Sequence, residues 1–131
     1  MATGRLVLVD TCIWVPFFNR PQSAAKRAID QLLDDDRVAL IGPILTEVLL
    51  GFRRNEHADW VSSVLRGTRF LDVSWEEWRA AARIGRRLMA SGHALPLSDL
   101  TVAAVALQRG IAVCSTDPHF DLMLDLKRYV F

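Results

Sequence analysis

Long apolar runs, clustered cysteines and an excess of charge are all missing from this sequence, and each absence removes a class of protein. No segment approaches the roughly 20 consecutive apolar residues of a membrane-spanning helix, and no basic-then-apolar leader opens the chain, so a cytoplasmic location without membrane attachment is expected. Two cysteines, Cys12 and Cys114, stand beside apolar strand-like segments without CxxC spacing and read as buried, reduced thiols. Sixteen basic residues against fifteen acidic ones leave a net charge of +1, so composition announces neither a nucleic-acid nor a membrane partner. His57, His93 and His119 occupy polar or turn contexts with no HExxH spacing and read as structural or solvent-facing. A GxSxG elbow is absent, which excludes the common serine-hydrolase arrangement. A phosphoaspartate enzyme of DxD type would need a second acid where Cys12 stands. The two lysines, Lys26 and Lys127, do not follow strands as phosphate-pairing lysines would.

What remains is an ordinary globular composition: 131 residues, 51% hydrophobic and 24% charged, enough for one domain with a sizeable core. The segment Arg5 to Asp10 opens with four apolar residues, Leu6 to Val9, and ends in a carboxylate. A strand buried on both faces reads as such a run, and open α/β sheets place ligands beyond the carboxyl ends of their strands. Pro16 and Pro21 then bracket a short apolar turn or helix, and a helical pattern runs from Ser23 to about Asp35. The acidic run Asp34, Asp35 and Asp36 reads as the solvated end of that helix, because adjacent helical side chains diverge.

Val38 to Ile41 reads as a second strand, with Gly42-Pro43 opening a helix over about 43 to 54. Glu47 sits amid its apolar residues, and two readings stay equal: a narrow exposed face shared with Arg54, or a functional carboxylate. A helix over about 56 to 66 and a third strand over Arg69 to Val73 follow. Ser74 and Glu77 have capping-box spacing for a helix over about 75 to 91, with Trp75, Trp78, Ala82, Gly85 and Met89 on one face. Arg79, Arg83, Arg86 and Arg87 lie roughly opposite, a pattern of solvated surface that would also suit phosphate contacts.

Ser98 reads as the N-cap of a further helix whose residues Leu100 to Leu107 are apolar or small all round, and Gly110 as its C-cap. Asp99 in its first turn has a sufficient structural explanation in the helix dipole. Ile111 to Ser115 reads as a fourth strand, followed by Asp117, whose Asp-Pro context also fits a plain turn; a short helix and a final strand at Tyr129 to Phe131 close the chain. Strands and helices alternating at these lengths imply a doubly wound, mainly parallel sheet with helices on both faces. In that sheet Asp10 and Asp117 share one edge, whereas Asp99 joins them only if its helix is distorted or folds over the edge.

Four segments together carry a family resemblance: VDTCIW, PILTEVLLGFR, LPLSDLTVAAVA and STDPHF, in that order and at these separations. They resemble the PIN-domain family, specifically the VapC-type toxins of bacterial toxin–antitoxin pairs, over nearly the whole chain. The resemblance implies a single PIN domain over residues 1–131 with a five-stranded parallel sheet. It implies an endoribonuclease whose Asp10, Glu47, Asp99 and Asp117 bind Mg²⁺ or Mn²⁺, with Thr11, Ser98 and Thr116 as supporting hydroxyls. At the position of Asp121 members of the family differ. The implied partners are an RNA substrate, a VapB-type antitoxin covering the acidic site, and a second copy of the chain in a homodimer. Phe52 and Trp60 would be a docking surface or core. A protein of this fold that binds RNA or protein without cleaving remains the alternative.

The physical case for the quartet is general. Carboxylates crowded together cannot all stay ionised unpaired, and a hard divalent cation taking oxygen ligands relieves their repulsion.

Overall fold

The computed structural model describes residues 5–131 and contains four strands in the order β3-β2-β1-β4, all pairs parallel. Strand β1 (Val7–Val9) runs into helix α1 (Thr11–Asn19), which is followed by α2 (Ala24–Asp34) and β2 (Val38–Ile41). Helices α3 (Gly42–Leu50) and α4 (Asn55–Leu65) lead to β3 (Arg69–Leu71). Helices α5 (Trp75–Ala90) and α6 (Leu97–Arg109) then lead to β4 (Ala112–Cys114) and a 3₁₀ turn at Pro118–Leu122.

Successive strand residues point to opposite faces, so complete burial of a strand means that both faces are covered. Every residue of β1 and of β2 is at most 1% exposed. The apolar runs Leu6 to Val9 and Val38 to Ile41 are therefore the two central strands. Trp14, Ile29, Leu32, Ile44, Val102 and Phe120 fill the layers above and below them.

The fifth strand expected at Tyr129 to Phe131 does not form. Val113 donates its N–H to Lys127 O and accepts from Tyr129 N–H, each at 2.9 Å, and the pairing stops at one parallel bridge between Val113 and Arg128. The Arg128 guanidinium is turned back onto Asp121 and the Ser115 carbonyl, both at 3.0 Å, and Val130 is 84% exposed. The terminal residues thus have no sheet face to bury. Helix α3 also stops short of residue 54, capped at Gly51.

Helix α5 has the expected capping box, but its buried stripe is Ala80, Ala81, Ile84, Gly85 and Leu88, while Trp75, Trp78 and Met89 are exposed. Gly85 lets α5 pack closely on α6: a Cβ there would lie 2.9 Å from the Leu100 side chain. Glu77, 3% exposed, completes the box reciprocally: its N–H donates to Ser74 Oγ at 3.1 Å and its Oε1 accepts from Ser74 N–H at 2.9 Å, while Arg109 donates to the same carboxylate through Nε at 2.7 Å and Nη2 at 2.8 Å, tying the start of α5 to the end of α6. Gly110 ends α6 at φ 66°, a backbone state that favours glycine. Of the acidic run, Asp36 grips Arg69 of β3 in a bidentate pair. Among the described residues, no helix is long and apolar enough to cross a membrane.

Candidate metal centre

The strand order places a reversal between β1, which continues to β2 and β3 on one side, and β4 on the other. At such a switch point the loops leave the sheet in opposite directions and open a crevice at the carboxyl edge. Asp10 follows β1 and Asp117 follows β4, and the two strands are in register there, with Val9 opposite Cys114 and Asp10 N–H donating to Cys114 O at 3.0 Å.

Asp10 is the N-cap residue of α1, yet its carboxylate makes no cap hydrogen bond. The start of α1 is held by other means: the Asp10 carbonyl accepts from Ile13 and Trp14 N–H, and the buried Trp14 indole donates to Val9 O at 3.1 Å. Its side chain, 4% exposed, is left to face the crevice, where Ser115 Oγ donates to Oδ2 at 2.7 Å and Cys12 Sγ lies at 3.4 Å.

Asp99 reaches the same place without any distortion of α6. A helix that connects to a following parallel strand runs antiparallel to it, so its first turn lies at the sheet's carboxyl edge. Glu47 projects from α3 into the cleft with both oxygens held: Thr11 Oγ1 donates to Oε1 and Ser98 Oγ to Oε2, each at 2.8 Å. Glu47 does lie on an exposed face, but Arg54 is directed to Glu56 at 3.8 Å and does not share that face with it. Ser98 is not a cap either; Pro96 is the N-cap residue and Ser98 lies inside the first turn.

All four acids, Asp10, Glu47, Asp99 and Asp117, thus line one cleft of about 450 Å³. Two residues that the sequence did not single out for the site join them. His119 Nδ1 lies 2.7 Å from Asp99 Oδ2 and 3.3 Å from Asp117 Oδ1, so this histidine is part of the acid cluster and not merely solvent-facing. Ser115 bridges Asp10 and the backbone N–H of Asp117, which donates to its Oγ at 3.0 Å. Thr116, the hydroxyl expected beside the last acid, points instead to Cys12 Sγ at 3.5 Å. Cys12 itself lies in the first turn of α1, half-buried on the cleft, while Cys114 is buried in β4 with its thiol pushed up to about 12 by that burial. Asp121 turns away to Arg128.

The electrostatics follow from crowding. Burial raises the Asp99 pKa; the His119 hydrogen bond opposes the rise, and the charges of Asp117 and Asp10 add to it. His119 is raised in turn, first by its hydrogen bond to Asp99 and then by the two carboxylates. Among the described residues, no lysine or arginine forms an ion pair with any of the four acids. Oxygen donors of Asp99 and Asp117 and a ring nitrogen of His119 lie within 4.8 Å of one another. A crowded set of carboxylates, steadied by hydroxyls and paired among the described residues with no lysine or arginine, fits a hard divalent cation.

A family model of the PIN domain matches residues 7–123. Ribonuclease VapC11 of Mycobacterium tuberculosis is 29% identical over 122 residues, which cover 90% of this chain and 91% of that protein. Among solved structures, VapBC2 from Rickettsia felis bound to a promoter DNA fragment superposes with a TM-score of 0.81 at 16% identity, covering 95% of this chain and 97% of that one. VapBC-5 from Mycobacterium tuberculosis, a member of the VapBC family of toxin–antitoxin systems, matches at 25% identity with a TM-score of 0.65, covering 95% and 99%.

Proposed function

The chain belongs to the PIN-domain family, and from that premise we propose that it is a divalent-cation-dependent endoribonuclease, the toxin half of a VapBC-type toxin–antitoxin pair. In this reading residues 1–131 form one PIN domain. The observation that carries the proposal is the convergence of Asp10, Glu47, Asp99 and Asp117 on one cleft, with no lysine or arginine paired to them among the described residues. The similarity to Ribonuclease VapC11 supports the same reaction class.

Asp10, Asp99 and Asp117 would hold Mg²⁺ or Mn²⁺, directly or through water, because hard cations take oxygen ligands. When bound, the cation supplies charge neutralisation at the phosphodiester and a water acidified enough to attack it. Glu47, its two oxygens bound by the Thr11 and Ser98 hydroxyls, would ligate the cation or orient a water and accept its proton at a carboxylate oxygen. Ser115 holds Asp10 Oδ2, and Thr116 keeps Cys12 Sγ against the α1 turn. Attack by water leaves a 5′-phosphate and a 3′-hydroxyl, unlike attack by the RNA's own 2′-hydroxyl.

The partners in this reading are RNA, a VapB-type antitoxin and a second copy of the chain, all in the cytoplasm. An antitoxin would have an electrostatic handle, since an acidic cleft attracts a guanidinium as readily as a metal ion. The half-exposed Trp60, in edge contact with Phe18 at 6.0 Å, offers apolar surface to a partner.

Incubation of the full chain with structured RNA and Mn²⁺, then with EDTA, tests the function. The proposal expects cleavage that EDTA abolishes and products ending in 5′-phosphate. Cyclic 2′,3′-phosphate ends would overturn the mechanism, and binding without products would leave a non-cleaving binding protein.

A further inference from the structure

We propose that His119 is a nitrogen donor of the cation centre, and that this nitrogen makes the centre prefer first-row transition ions such as Mn²⁺ over Mg²⁺. The inference rests on the reading of the acidic cleft as a cation site and adds to it a ligand that the sequence did not offer.

The geometry points to a shared ion. Two donors bound side by side to an octahedral ion with bonds of about 2.1 Å are separated by about 3.0 Å. His119 Nδ1 stands 2.7 Å from Asp99 Oδ2 and 3.3 Å from Asp117 Oδ1, which brackets that spacing. The three donors come from two elements that meet at the cleft: Asp99 from the first turn of α6, and Asp117 and His119 from the N-cap and the second residue of the 3₁₀ turn.

The backbone delivers the imidazole with the acid. Asp117 caps the 3₁₀ turn by accepting His119 N–H at 2.9 Å, and Pro118 between them stands at the first position of that turn. Placing Asp117 therefore places His119. The imidazole side chain is 41% exposed, so with its proton on Nε2 the ring keeps a solvated N–H while Nδ1 faces the carboxylates.

A nitrogen among oxygens changes what the site selects. Mg²⁺ is a hard ion that favours carboxylate and water, whereas imidazole binds transition ions more strongly. Replacing His119 should therefore cost Mn²⁺ more than it costs Mg²⁺.

Pulsed EPR of Mn²⁺ bound to the full chain tests this without any turnover. The expected result is a ¹⁴N hyperfine coupling that changes to ¹⁵N when histidine is isotopically labelled and vanishes in His119→Gln. In the same variant, Mn²⁺ affinity by titration should fall about tenfold or more while Mg²⁺ affinity, by competition, changes less than about threefold. Mn²⁺ bound in a manner sensitive to Asp10→Asn but without nitrogen coupling would overturn the inference and leave the carboxylate centre standing. Absence of Mn²⁺ binding altogether would overturn both.

Discussion

Ser115 and Asp10, separated by 105 positions in the chain, are joined by a 2.7 Å hydrogen bond from the serine hydroxyl to Asp10 Oδ2. The same hydroxyl accepts the Asp117 N–H, so one small side chain sets both the rotamer of the acid after β1 and the backbone of the acid after β4. Side chains that orient metal-binding groups act on affinity and rate more than on folding.

Ser115→Ala should lower kcat/KM for RNA cleavage about 10- to 100-fold with a melting temperature within a few degrees of the parent, and Ser115→Thr should restore most of the activity. Steady-state kinetics and a thermal melt read the two effects separately. An alanine variant with full activity would show that Asp10 needs no such support.

Glu47 presents a second arrangement of this kind, with one hydroxyl on each oxygen. Thr11→Val and Ser98→Ala should each lower kcat about tenfold with little change in KM, since what is lost is the aim of a carboxylate and not substrate contact. The double variant should approach the activity of Glu47→Gln. If it stays fully active, Glu47 is held by something other than these hydroxyls.

Away from the cleft, the Glu77 carboxyl is held below its ordinary value of 4.5, chiefly by its hydrogen bonds with Arg109. A carboxylate depressed in the folded state stabilises fully above its unfolded pKa, and that contribution is lost as pH falls through the depressed value. Glu77→Gln should therefore cost about 2–3 kcal/mol of unfolding free energy at neutral pH, by loss of a buried charged hydrogen-bond pair. The gap from the parent should narrow in acid, below the 4.5 of a free carboxyl. Denaturant titrations at neutral and acidic pH measure it, and a gap that stays constant would contradict the assignment.

Metal binding should also appear as stability. With Mn²⁺ at a hundred times its dissociation constant, linkage adds about 2.7 kcal/mol, a rise of several degrees in melting temperature for a domain of this size. EDTA should reverse the rise, and Asp10→Asn or Asp117→Asn should reduce it. No shift at saturating Mn²⁺ would argue against a cation centre.

The parts of the site that were legible in the sequence are those fixed by local pattern. Leu6 to Val9 read as a buried strand and Val7–Val9 forms one, so Asp10 fell at its carboxyl end, and the short apolar segment before Ser115 did the same for Asp117. Asp99 was harder for a reason of direction: a crossover helix runs against its strands, which brings its first turn to the acids with no bend required. Glu47 needed tertiary information, because only the fold brings Thr11 and Ser98 to its two oxygens. Ser115 left a faint signal, since in extended chain it shares a side with Asp117 two residues on, whereas Thr116 faces the other way. His119 was visible only as an Asp-Pro-His turn, whose cap geometry carries the ring back over Asp117 and Asp99. The missing fifth strand has a similar cause: apolar residues at 129 to 131 suit a strand, but beyond Val113 they find one bridge and solvent.

The most direct test of the account is Asp10→Asn, assayed for RNA cleavage with Mn²⁺ and for thermal unfolding in the same preparation. The substitution keeps the shape of the side chain and removes one charge from a crowded set, so the account predicts a melting temperature within a few degrees of the parent and cleavage reduced at least about 10³-fold. A folded Asp10→Asn protein that still cuts RNA at the parent rate would contradict it.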